Sequence, residues 1–241
     1  MKDLLRSLIS WILAVLTFVV FSPAILIILI LPRFRLLNNR FAFALANLFY
    51  SLIARCLLVP ITYVRTQQLK SKPLIIVVNH ESSLDIVLAG AALQGHPHVW
   101  MAWSDLAKSG FFRFFLPKVA ILIDLSSPLR SGRSLVEAVR LLKDSDAHVV
   151  IFPEGGRFID GEIHDFFGGF GILARKMNRA VVPLYIHNAG TVFPPGAVLT
   201  HYAPITVVTG PHFVPDAQES DDTFKERVRS WFVEQNKQMR K

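Results

Sequence analysis

IIVVNHESSLD, Ile75 to Asp85, opens on four consecutive apolar residues and then turns polar within one step. A strand wetted on one face alternates apolar with polar, so this short unbroken apolar run reads as a strand buried on both faces, as in a parallel sheet. A helix start follows: Ser82 is a candidate N-cap, Asp85 completes an [ST]-x-x-[DE] capping box, and Leu84, Ile86 and Val87 begin the helix. His80 belongs to neither device. It stands where a buried strand emerges above a helix N-terminus, the rim at which open α/β sheets bind ligands.

The same rhythm extends in both directions. Apolar runs predict strands over Leu74–Val78, Val99–Trp103, Val119–Ile123, His148–Phe152, Ala180–Ile186 and near Ile205–Val208. Between them Leu135, Val139 and Leu142 share a helical face behind a capping box of Ser134 and Glu137. Near the end Phe224, Val228, Trp231 and Phe232 fall at helical spacing behind Thr223 and Glu226, which predicts a helix packed on the domain. Strand and helix alternate, so the fold class is α/β: a mixed, largely parallel sheet flanked by helices. Pro183, inside AVVPLYIHN, predicts that its strand is an edge or bulged strand. The histidines of QGHPH, His96 and His98, read as loop.

The 241 residues suit one globular domain plus an attachment. A hydrophobic share of 52% points to a membrane-associated class, and the formal charge of +8 suits either nucleic acid or anionic lipid. The N-terminus decides between them. No charge interrupts Leu8 to Leu31, a stretch long enough to cross a hydrocarbon core as a helix and too long for the apolar region of a cleaved signal peptide. Arg33, Arg35 and Arg40 follow it, against Lys2 and Arg6 before, so the positive-inside bias puts the rest of the chain on the cytoplasmic side of an inner (plasma) membrane. A second apolar stretch, Phe41 to Ile61, carries Asn47 and Arg55 and reads as interfacial or as half of a hairpin. Nucleic-acid binding is disfavoured, since no groove-reading motif backs the charge. One cysteine, Cys56, excludes an intramolecular disulfide and a Cys-rich zinc site. The expected organisation is 1–66 as membrane-anchoring segment, 67–217 as the main domain and 218–241 as a C-terminal amphipathic helix.

VVIFPEGGR, Val149 to Arg157, is a second strand ending at chemistry-bearing residues. Glycines let the backbone turn sharply, and arginine's planar fork suits a phosphate. In order and spacing, NHESSLD, FPEGGR, VVPLYI and the intervening GFFRFFLPKVAILID resemble the motif blocks of the glycerophospholipid acyltransferase family, whose best-known members are 1-acylglycerol-3-phosphate acyltransferases. The resemblance spans about Pro73 to Pro211.

The resemblance implies that His80 is a general base on the free hydroxyl of a lysophospholipid, with Asp85 orienting the imidazole. It implies acyl-CoA or an acyl carrier protein as donor, with no metal and no cofactor beyond that co-substrate. Glu154, Gly155, Gly156 and Arg157 would form the acceptor site, Arg157 meeting the phosphate. Three positions depart from the pattern: Gly156 replaces a threonine, Trp103 stands where a phosphate-binding lysine is usual, and Leu125 where an arginine is usual. Fewer cations suit a head group less anionic than lysophosphatidic acid. The alternative is a catalytically silent, membrane-anchored lipid-binding protein of the same fold.

Overall fold

The computed structural model describes residues 2–30, 32, 37, 39–66, 72–108, 110 and 112–240. Arg33, Arg35 and Phe111 lie outside them. Two helices lead the chain, α1 (Lys2–Ile30) and α2 (Arg40–Cys56), the second opened by Asn39, whose side chain accepts from Ala42 N. There follow β1 (Ile61–Arg65), β2 (Ile75–Val78), α3 (Leu84–Ala92), β3 (His98–Trp103), a 3-10 turn over Ser104–Lys108, α4 (Phe112–Val119), β4 (Ala120–Ile123) and α5 (Pro128–Leu142). The remainder is β5 (His148–Ile151), α6 (Gly169–Met177), β6 (Val181–His187), the single turn α7 (Ala189–Val192), β7 (Ile205–Thr209) and α8 (Asp221–Met239).

The seven strands form one sheet in the order β1-β7-β6-β2-β5-β3-β4. Every pairing is parallel except β6 with β7, so the sheet is mixed and largely parallel. β2 sits at its centre with all four residues buried, because both faces are covered. Ile75, Val77 and Val149 meet Leu142 of α5, Phe170 and Leu173 of α6, and Phe224, Val228 and Phe232 of α8. Ile76, Val78 and Val150 meet Ala54 of α2 and Leu84, Leu88 and Ala89 of α3. Side chains such as Leu88 and Phe232 have no exposed area, and each such burial is worth about 1.5–3 kcal/mol.

Several expectations require correction. Ile61–Arg65 belongs to the sheet and not to the N-terminal segment 1–66: β1 pairs in parallel with β7 as an edge strand beyond Pro60. Pro183 lies in a strand that is bulged against β7, as expected, but central in the sheet and not at its edge. It is tolerated because β6 pairs regularly with β2 on one side, while on the other Val181 faces Phe213 and Leu184 faces Thr209, a slip of one residue across the stretch where the proline N–H is missing. His98 begins β3 and is buried; burial lowers it to about 4 and keeps it neutral. Ser134 lies inside α5, whose N-cap is Ser127 with Pro128 at the first turn, and Thr223 lies inside α8, whose N-cap is Ser220.

α1 does not stand apart from the domain. Ser7 Oγ bonds Thr200 (3.1 Å), Trp11 Nε1 donates to Val198 O (2.8 Å), and Phe18 and Phe21 meet the Phe49 ring of α2 at 5.1 and 5.4 Å. Ser7, Ser10 and Phe21 are buried, while Leu16, Val19, Val20, Leu26 and Ile27 on the outer side are exposed. The helix is thus docked along one stripe, with small polar residues turned to the protein and apolar ones outward. It is long and apolar enough to cross a membrane.

Candidate active site

Three devices fix the loop after β2. Asn79 bonds Ile186 in both directions, its Nδ2 donating to Ile186 O (2.9 Å) and its Oδ1 accepting from Ile186 N (2.7 Å), which ties the end of β2 to β6. Ser82 Oγ donates to Phe193 O (2.6 Å) and accepts from Leu84 N (3.2 Å). Asp85, in the first turn of α3, is 0% exposed, and its Oδ2 accepts from Glu81 N, Ser82 N and His80 Nδ1, each at 2.8 Å. Asp85 therefore both holds the Ser82 N–H and partners the imidazole, but the expected capping box forms only in half: the N-cap of α3 is Ser83, and Ser82 Oγ accepts from Leu84 N, not from Asp85 N.

A carboxylate only accepts, so Nδ1 carries the proton and Nε2 keeps its lone pair. The His80 ring stacks on Phe152 at 4.1 Å, and Phe152 stacks on Trp100 at 5.9 Å, so aromatic carbon walls the imidazole on one side. That stack was invisible in the sequence, where Phe152 reads only as the end of a strand. The His80 side chain retains 16% exposure. A locked tautomer with an accessible basic nitrogen is what proton abstraction from a hydroxyl needs.

The second motif folds over the first. Glu154 is buried; its Oε1 accepts from His80 N (2.9 Å) and its Oε2 from His164 N (3.1 Å). Burial pushes its carboxyl up, and these two hydrogen bonds oppose the shift. It clamps two loops together, so it serves the site by positioning His80. Gly155 takes φ +68°, and its N–H is engaged by Phe152 O, so it serves the turn. Gly156 adjoins Phe158, whose N–H donates to His80 O (3.0 Å). Arg157 Nη1 donates to Ser83 Oγ (2.8 Å), which brings an exposed guanidinium to the start of α3, beside the His80–Asp85 pair. Trp103 and Leu125, where the motif pattern carries cations, are 48% and 42% exposed.

Glu81 is a participant that sequence reasoning missed, since as a neighbour of the histidine it looked like any loop acid. Its Oε2 accepts from Gly190 N (3.4 Å), and its carboxyl is pushed up to about 7, first by burial and then by the charge of Asp85. Among the described residues no group of three or more His, Cys, Asp or Glu side chains is arranged to hold a metal ion.

A family model described as Acyltransferase matches residues 60–187, more than half of the chain. The 1-acyl-sn-glycerol-3-phosphate acyltransferase of Helicobacter pylori is 26% identical over 170 residues, which are 69% of this chain and 67% of that protein. The protein of the same name from Limnanthes douglasii is 33% identical over 87 residues, 36% of this chain. The chain spans 31% of that plant relative's length. The crystal structure of the 1-acyl-sn-glycerophosphate (LPA) acyltransferase PlsC from Thermotoga maritima superposes with a TM-score of 0.76 over 99% of this chain and 96% of that one, at 20% identity, a likeness of fold. With the matched region running from the residue before β1 to the last residue of β6, and so enclosing both loops that meet at His80, the chain belongs to the acyltransferase family.

Proposed function

We propose that this protein is a membrane-bound acyltransferase that moves a fatty acyl group from a thioester donor to the free hydroxyl of a lysolipid. The observation that carries the reading is the His80–Asp85 pair, with Nε2 open and the Arg157 guanidinium beside it. His80 Nε2 takes the hydroxyl proton as the oxygen attacks the thioester carbonyl. The tetrahedral intermediate collapses with cleavage of the C–S bond, and the imidazolium returns the proton to the departing thiolate. Asp85 stabilises the imidazolium without itself becoming protonated. Ser82 is committed to Phe193 O and Leu84 N and Ser83 to Arg157, which argues for direct transfer over a serine acyl-enzyme.

Arg157 is the group for an anionic head, with Gly155 and Gly156 shaping the turn that presents it. The relatives are named for 1-acylglycerol-3-phosphate, and an acceptor of that general class fits. Apolar Trp103 and Leu125 and the pairing of Lys108 with Asp105 (2.5 Å) leave fewer cations than a phosphomonoester favours, so the acceptor has a less anionic head group. The exposed apolar side of α1 supports attachment to a bilayer, where such an acceptor resides, and we assign the catalytic domain to the cytoplasmic side, where acyl thioesters are made.

The test offers purified protein a mixture of lysolipids with acyl-CoA and, separately, acyl carrier protein, and identifies products by mass spectrometry. Acylated product is expected, with lysophosphatidic acid not the preferred acceptor; strong preference for it would overturn the head-group assignment. His80→Ala should lower turnover by about 10² or more while lipid binding persists. Equal behaviour of wild type and variant would instead favour a silent lipid-binding protein.

A further inference from the structure

A polar cleft of about 420 Å³ opens one residue beyond His80, lined on one wall by Glu81 and on the other by Asn236 and Arg240 of the C-terminal helix. The volume lies within the ~300–1,000 Å³ typical of small-molecule sites. Its floor is the end of β6 at His187 and the turn at Asn188 and Thr191, and its remaining edges include Ile159 and Pro194.

Its position limits what can enter. α8 covers the sheet face opposite α2 and α3, and α1, with its exposed apolar side, packs on α2. A bilayer amphiphile therefore comes from one face of the sheet, whereas the cleft is walled by the helix of the other. Both faces meet at the loop that carries His80. A reaction between a lipid and a water-soluble thioester needs such a second approach.

The chemistry of the lining narrows the ligand further. Glu81 and Asp160 disfavour a phosphomonoester or any densely anionic group inside. The Thr191 hydroxyl has no hydrogen-bond partner among the described residues, and with the Oδ1 of Asn188, whose Nδ2 donates to Pro204 O (2.9 Å), it offers neutral hydrogen bonding beside apolar Ile159 and Pro194. One cation, Arg240, stands at the last turn of α8, held 3.2 Å from Glu162 and packed against Gly161, where a side chain would collide with the guanidinium. This pattern suits a slender, mostly neutral chain with amides, a hydroxyl and branched methyls, with one cation for its esterified phosphate end.

We infer that this cleft holds the phosphopantetheine arm of the acyl donor, with Thr191 along the arm and Arg240 at its phosphate, and so delivers the thioester to His80 past the C-terminal end of α8. The inference rests on the acyltransferase reading. It names chemistry shared by acyl-CoA and acyl carrier protein.

Thr191 is exposed, so Thr191→Trp fills the cleft without entering the core. With the full-length protein in detergent, Thr191→Trp should raise the KM for donor at least tenfold and leave the KM for lysolipid within twofold; Arg240→Ala should raise donor KM several-fold. Both donors are assayed, and each one used should show the increase. Free pantetheine, which carries the neutral arm without a phosphomonoester, should compete with donor and not with lysolipid, and its binding measured by calorimetry should be lost in Thr191→Trp. An effect limited to acyl-CoA while acyl carrier protein is used unchanged would put the nucleotide in the cleft and overturn the inference. So would a raised lysolipid KM with donor unaffected, or no change in either. Wild type without turnover would defeat the acyltransferase reading instead, and the calorimetric arm would still decide the cleft.

Discussion

A single oxygen, Asp85 Oδ2, receives one imidazole and two backbone donors, so this residue has a folding role and, in the proposed mechanism, a chemical one that substitutions can separate. In Asp85→Asn the amide oxygen can still accept from Glu81 N and Ser82 N, but the charge facing His80 is gone. Turnover should fall by about 10² or more with little change in melting temperature. Asp85→Ala also leaves the two N–H groups unpaired and should cost about 2–4 kcal/mol in denaturant unfolding. Equal stability of the two variants would show that the carboxylate does not hold the loop. Glu81 gives a pH signature. Its folded pKa of about 7 exceeds the ordinary carboxyl value of 4.5, so the native state binds the extra proton between these values and stability falls as pH rises through that window. Glu81→Gln keeps an acceptor for Gly190 N without the buried charge. It should therefore raise the stability of the protein by about 2 kcal/mol near pH 8, with the gain fading below about pH 4.5. Urea titrations at the two pH values check this; a gain independent of pH would assign it to packing.

Elements differ in how plainly the chain declares them. β2 and β5 are short apolar runs closed by polar chemistry, and being buried on both faces they could hardly be read otherwise. The sequence does not declare β1 because ITYVR follows an apolar helix across only the apolar link Leu57–Pro60, and as an edge strand it shows a mixed burial pattern. The central place of Pro183 was illegible for another reason: it depends on a register slip against a strand some 25 residues later in the chain. The same limit applies to the site. His80 and Asp85 are five residues apart and share one turn, so their pairing was readable, whereas the Phe152 stack and the Glu154 clamp join segments that only the sheet brings together. Gly90 is a comparable case. A side chain there would lie 2.5 Å from the Tyr50 ring, so α2 and α3 approach at a distance only glycine permits. Gly90→Val should cost about 1–3 kcal/mol through overpacking and lower the melting temperature, loosening the helix pair that carries α1 from the sheet. Unchanged thermal unfolding would mean that the two helices part without loss.

On the scale of the whole molecule, the sheet separates two environments. One face carries α2 and α3 with α1 outside them, the other α5, α6 and the polar α8. Because one stripe of α1 is docked from Ser7 near its start to Phe21, the helix shares its length with the domain, and the surface it offers to the proposed membrane contact is its exposed apolar side. Leu16 and Val20 lie on that side at 55% and 72% exposure, away from every contact that seats the helix. Transfer of two such side chains into lipid is worth about 3–6 kcal/mol together, and basic residues near a membrane surface add about 1 kcal/mol each towards anionic lipid. The double variant Leu16→Lys, Val20→Lys removes the apolar contribution while adding charge. It should sediment with phosphatidylcholine vesicles at least a hundredfold more weakly, and acylate lysolipid presented in bilayers far more slowly. Its melting temperature, and its turnover of a short-chain lysolipid dissolved as monomer, should match wild type. Equal vesicle binding by the two proteins would move the membrane contact elsewhere, with the exposed Phe112 and Phe114 of α4 as the next surface to substitute.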